Sequence, residues 1–149
     1  MSRSLLLIIA IFTSITLSAQ LELEGLWEGT IMIGGIESTK GLPLKMYLLK
    51  SGRNITGRTY IFINDRVIEA EVEGYLYQDL SVDLKQFNFI KTSDDAYIPP
   101  FLRKFQLSWN RGINGSSLNG YWQEIVTEIF DPKRQRGRVY LRKVTNQRA

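Results

Sequence analysis

Residues 23–35 read LEGLWEGTIMIGG. Leu23, Gly25, Trp27, Gly29, Ile31 and Ile33 fall on one parity, and Glu22, Glu24, Glu28 and Thr30 on the other. A period of two marks a strand with one buried face, and Gly34-Gly35 permits a turn at its end. The same rhythm continues outward. Leu44, Met46 and Leu48 alternate around Lys45 before Ser51-Gly52, and Ile55, Thr59, Ile61 and Ile63 share a face before Asn64-Asp65. In the next stretch Ile68, Ala70, Val72 and Leu76 oppose Glu69, Glu71 and Glu73, the clearest alternation in the chain.

A fifth strand runs through Leu80, Val82 and Leu84, with less regular parity as far as Phe89. A long loop, KTSDDAYIPPF at residues 91–101, separates it from a sixth strand carrying Phe105, Leu107 and Trp109. NRGING at 110–115 reads as the following turn, and residues 118–130 and 136–144 supply the last two strands. No stretch of helical length shows helical periodicity. The expected fold is therefore all-β: eight antiparallel strands in an up-and-down meander that closes into a small β-barrel, since closure removes exposed strand edges. LEGLW, ITGRT, VEGYL and LNGYW each place a glycine two residues after an apolar one. Gly25, Gly57, Gly74 and Gly120 are thus expected where a small barrel bends or its backbones approach closely.

A glycine-x-tryptophan on the first strand of such a meander, Gly25-Leu26-Trp27, resembles the lipocalins and the wider calycin barrels. The repeated strand glycines are similar to those of the avidin-like members. In lipocalins the tryptophan closes the barrel bottom beneath a basic side chain from near the end of the last strand. The resemblance gives that role to Trp27 beside Gly25, with Arg138 or Arg142 as the cover. It also implies an architecture that often holds small apolar ligands. The lipocalin threonine-aspartate-tyrosine loop has no counterpart here. Glu28, Gly29 and Thr30 stand where the avidins place ureido-binding asparagine and serine, which argues against biotin.

Residues 1–19 have the form of a secretory signal peptide: Arg3, a short apolar run from Leu5 to Phe12, and a small-residue end at Ala19. The run is too short and too broken by Thr13, Ser14 and Thr16 to span a bilayer, which takes about 20 apolar residues. No later segment has transmembrane character. The mature chain from Gln20 is expected to be one domain over residues 20–145, followed by a disordered tail at 146–149. Cysteine is absent, so an exported domain must rely on its core and its strand ladder. The bacterial periplasm or cell surface is the expected location.

Without histidine or cysteine the chain cannot build a histidine triad, a thiol nucleophile or the common zinc ligand sets. A non-catalytic protein with no metal or cofactor is the expectation. Glu124 and Glu128 share parity with Trp122; if Trp122 points inward, a carboxylate enters the barrel, where desolvation raises its pKa and it becomes a polar anchor. The opposite parity buries Tyr121, Ile125 and Ile129. It is the favoured one, because charged side chains are seldom buried unpaired. Asp94-Asp95 reads as a solvated loop, short of the oxygens that calcium needs. The apolar cluster Tyr97 to Phe101 reads as a lid over a barrel mouth or, the preferred reading, as a loop packed on the barrel end.

The segment from Asp131 onward holds seven basic residues and one acidic, a net +6, whereas residues 20–130 carry −3. A nucleic-acid footprint would be broader. Arg136, Arg138, Tyr140 and Arg142 share one parity and form a row fit for an anionic glycan or lipid headgroup. The favoured explanation of the row is structural: closure sets the last strand beside Glu22, Glu24 and Glu28 of the first, giving cross-strand ion pairs. Two functions follow. One is a barrel that takes a small, partly apolar ligand among Phe105, Trp109, Trp122 and Glu124. The other is a solid-core module that contacts an anionic envelope polymer, or another protein, through its basic last strand.

Overall fold

A computed structural model describes residues 22–90, 100–127 and 133–145. Its strands are β1 (Gly25–Met32), β2 (Gly41–Ser51), β3 (Asn54–Ile63), β4 (Arg66–Leu76), β5 (Ser81–Ile90), β6 (Arg103–Gly112), β7 (Gly115–Glu124) and β8 (Arg136–Lys143). Each pairs antiparallel with the next, and β8 returns to β1 in the register Trp27↔Lys143 through Ile31↔Val139. The protein is an all-β, eight-stranded up-and-down meander closed into a barrel.

The inner parity is the one that alternation marks. On β4, Ile68, Ala70 and Val72 are buried, whereas Glu73 on the other parity is exposed. The turns use residues that tolerate a left-handed backbone: Gly52 (φ 61°) between β2 and β3, and Asn64 (φ 52°) between β3 and β4. Three of the four echoed glycines have the expected cause. A Cβ on Gly57, Gly74 or Gly120 would collide with the carbonyl oxygen of Tyr47, Asp83 or Gln106 on the neighbouring strand. Gly29 and Gly137 meet the same limit against Tyr140 and Met32. Gly25 differs, because its φ of 116° itself requires glycine.

The structure corrects several strand expectations. β7 spans Gly115–Glu124 instead of 118–130, so the connection from β6 is only Ile113-Asn114. Its inner parity carries Leu118, Gly120 and Trp122, while Tyr121 is 51% exposed, the reverse of the favoured assignment. The irregular end of β5 is a bulge. The register with β4 passes from Val72↔Gln86 to Glu71↔Asn88, so Phe87 is an extra residue. Phe87 and Asn88 are therefore exposed in succession, and Phe89 returns to the core.

Among the described residues, buried side chains pack the barrel interior as one core. Trp27, Ile31, Met46, Leu48, Val82, Phe105, Leu118 and Val139 each retain no accessible surface. One polar thread crosses this core. Gln86 donates through Nε2 to the Thr59 hydroxyl (2.8 Å) and accepts through Oε1 from the Arg103 backbone N–H (2.9 Å), while Thr59 donates to the Ala70 carbonyl (3.4 Å). Such a thread is tolerated in a core because its members satisfy one another. The leader (1–19), the loop at 91–99 with Asp94, Asp95, Tyr97, Ile98 and Pro99, the residues Glu128, Ile129 and Phe130, and the tail at 146–149 lie outside the described residues.

Candidate functional site

Trp27 sits on the inner parity of β1, fully buried, and donates its indole N–H to the Leu23 carbonyl at 2.9 Å. Its basic cover is Lys143. The ammonium lies 5.2 Å from the ring centroid and donates to the Glu22 carbonyl at 2.8 Å. Burial lowers the Lys143 pKa, and Glu22 and Glu24 oppose that shift. Arg138 and Arg142, expected in this place, point to the outer face instead, since Gly137, Val139 and Leu141 define the inner parity of β8 and Lys143 continues it. Reading that parity two residues further would have found Lys143.

The expected cavity residues take three different settings in the barrel. Phe105 and Trp122 are register partners on β6 and β7, at 0% and 1% exposure, and both belong to the packed core. Trp122 donates its indole N–H to the Met32 carbonyl (2.6 Å) and lies parallel to Phe101, with centroids 6.3 Å apart. The Arg103 guanidinium lies 4.8 Å from both rings. Phe101, the end of the long loop, thus packs on the barrel end. Trp109 lies at the other end, beneath the Arg111 guanidinium at 5.1 Å, beside a hollow of about 360 Å³ shared with Leu23, Glu24 and Lys50. Glu124 shares the parity of Trp122 but stands at the strand terminus, half-buried, where its Oε2 accepts from the Gln135 N–H at 3.1 Å.

The outer wall of β7, β8 and β1 gathers a different set. Arg138 and Tyr140 stand on β8, with Tyr121 and Asn119 opposite them on β7 and Thr30 opposite Tyr140 on β1. A hollow of about 430 Å³ opens here between Glu28, Thr30, Ser117, Asn119, Tyr140 and Arg142. The Tyr140 side chain, through a hydrogen bond, is the main influence holding the Arg138 guanidinium above its ordinary pKa. Glu28 faces Arg142 in register, yet its ion pair is with Lys45 of β2 (2.8 Å). Glu24 accepts from the Lys50 backbone N–H, and Glu22 uses its carbonyl toward Lys143. The expected ladder of ion pairs between β8 arginines and β1 glutamates is therefore replaced by partners on β2 and by Lys143. Sequence reading missed Tyr121, Asn119 and Ser117, because only the register shows that they face the arginine row.

Among the described residues, no group of three or more acidic side chains is placed to hold a metal ion. Comparison with family models, with curated proteins and with solved structures gives no match.

Proposed function

We propose that the protein is an exported, non-catalytic, calycin-like barrel that binds through its outer wall, taking an anionic envelope polysaccharide along β8. One observation carries this reading: Arg138, Tyr140 and Arg142 line up with Tyr121 and Asn119 on a wall where Glu28 is engaged by Lys45. Guanidinium groups offer paired donors to carboxylate or sulfate groups, and exposed tyrosines supply flat surfaces for the rings between them. The interior-ligand reading draws less support, because Phe105 and Trp122 already spend their surfaces on packing.

The test is titration of the mature chain, residues 20–149, with a soluble anionic polysaccharide such as polygalacturonate and with neutral dextran. The expected result is binding of the acidic polymer alone, weakened by salt and lost in the double variant Arg138→Gln/Arg142→Gln. Equal binding by that variant would overturn the reading. A stoichiometric apolar molecule released from the natively purified protein would restore the interior alternative.

A further inference from the structure

A third hollow lies on a different wall, at the β4–β5 connection, and its chemistry differs. It has a volume of about 610 Å³ and is lined by Arg53, Tyr75, Tyr77, Asp79, Ser81 and Asp83. Tyr75 and Tyr77 are 39% and 44% exposed and meet edge to face, with centroids 5.0 Å apart and planes at 66°. They make an aromatic corner open to solvent. Its rim carries both kinds of hydrogen-bonding group: carboxylates on Asp79 and Asp83, and a guanidinium on Arg53. Asp83 stands opposite Tyr75 in the β4–β5 register.

The corner is held in shape. Arg53 donates through Nη1 to the Leu76 carbonyl at 3.2 Å. Asp79 Oδ1 accepts from both the backbone N–H and the hydroxyl of Ser81, at 3.0 and 2.6 Å. Tyr77 N–H donates to Ser81 O (2.9 Å), and Leu80 O accepts from Trp109 N–H (2.9 Å). Leu80 sits at φ 65°, a left-handed conformation that disfavours a residue with a side chain and persists only where its surroundings impose it.

We propose that this hollow binds a neutral sugar residue. A pyranose presents an apolar C–H face, which packs on an aromatic ring, and an equatorial rim of hydroxyls that both donate and accept. Carboxylates take the donated hydrogens and the guanidinium supplies hydrogens in return. A simple anion would meet Asp79 and Asp83, a simple cation would meet Arg53, and a purely apolar ligand would desolvate all three. The mixed rim around an aromatic corner fits a polyhydroxylated ring. This site is separate from the basic wall and does not depend on it.

The test is an amide NMR titration of the mature chain with neutral disaccharides of glucose, galactose, mannose and N-acetylglucosamine. It is run at about 1 M salt, where charge attraction is screened beyond about 3 Å. The expected shifts cluster at Arg53 and at residues 75–83. Tyr77→Ala, in the turn and outside the core, is expected to weaken binding about five- to tenfold through loss of one ring face, while Tyr77→Phe keeps most of it. Arg138→Gln/Arg142→Gln is expected to leave it unchanged. Three results would overturn the proposal: no shifts at these amides with any of the sugars, unchanged binding by Tyr77→Ala, or equal shifts produced by tetramethylammonium.

Discussion

The Lys143 ammonium lies 5.2 Å from the Trp27 ring and donates to the Glu22 carbonyl, while the Trp27 indole donates to Leu23. Two hydrogen bonds thus tie the segment before β1 to the barrel floor. Trp27→Phe keeps an aromatic ring but strands the Leu23 carbonyl, so it is expected to cost about 1–3 kcal/mol in urea unfolding.

Lys143 also makes stability depend on pH. Burial lowers its folded-state pKa below the ordinary value of 10.5, so in the window between the two the unfolded chain binds more protons. The cost of holding the ammonium in place is fully present below the folded pKa and is relieved as pH rises toward 10.5. Wild type is expected to gain stability relative to Lys143→Met across that alkaline window. Parallel pH curves for the two proteins would contradict this.

Gly137 lies against the Met32 carbonyl and 2.6 Å, measured from where a Cβ would sit, from the Trp122 indole nitrogen. Both partners are fixed by their own hydrogen bond. Gly137→Ala is expected to destabilise by about 1–3 kcal/mol and to alter the near-ultraviolet dichroism of Trp122.

Gln86 joins β3 to the start of β6 through the core. Gln86→Leu leaves the Arg103 N–H without its side-chain acceptor and the Thr59 hydroxyl without a donor. A loss of about 1–3 kcal/mol is expected. A double-mutant cycle with Thr59→Val should show coupling, because the two share a bond; simple additivity would mean that the thread does not act as a unit.

The fold was legible because inward positions repeat with period two along the strands, β5 beyond Gln86 excepted, and because Gly57, Gly74 and Gly120 mark strands crowded by their neighbours' carbonyls. Two kinds of feature were not. The bulge at Phe87 shifts parity by one residue through pairing with β4, and a single strand's pattern does not contain its partner's register. On β7 the charge of Glu124 argues for one parity and the continuous run of Leu118, Gly120 and Trp122 for the other, which the structure adopts. A strand terminus lets a carboxylate share the inner parity without entering the core. The candidate sites were less legible still. Asn119 and Ser117 meet Tyr140 and Arg142 only across a ladder, and Tyr75 meets Asp83 only through the β4–β5 pairing.

Removing residues from Arg136 onward deletes Val139 and Leu141 from the core and opens one edge each of β1 and β7. Loss of cooperative thermal unfolding is expected in circular dichroism. A truncated chain that still melted cooperatively would show that closure is dispensable.

The register of β1 with β8 covers Trp27–Ile31, and that of β5 with β6 covers Ser81–Lys85, both shorter than the other ladders. These two seams divide the wall into a sheet of β1–β5 and a sheet of β6–β8. The first seam joins residues 108 to 116 positions apart, so β1, paired on its other side with β2, keeps one open edge until β8 arrives. Chain closure is then expected to be the slow, late event of folding, and amide exchange in the native protein should begin along these two lines, the barrel parting like a shell at its hinges.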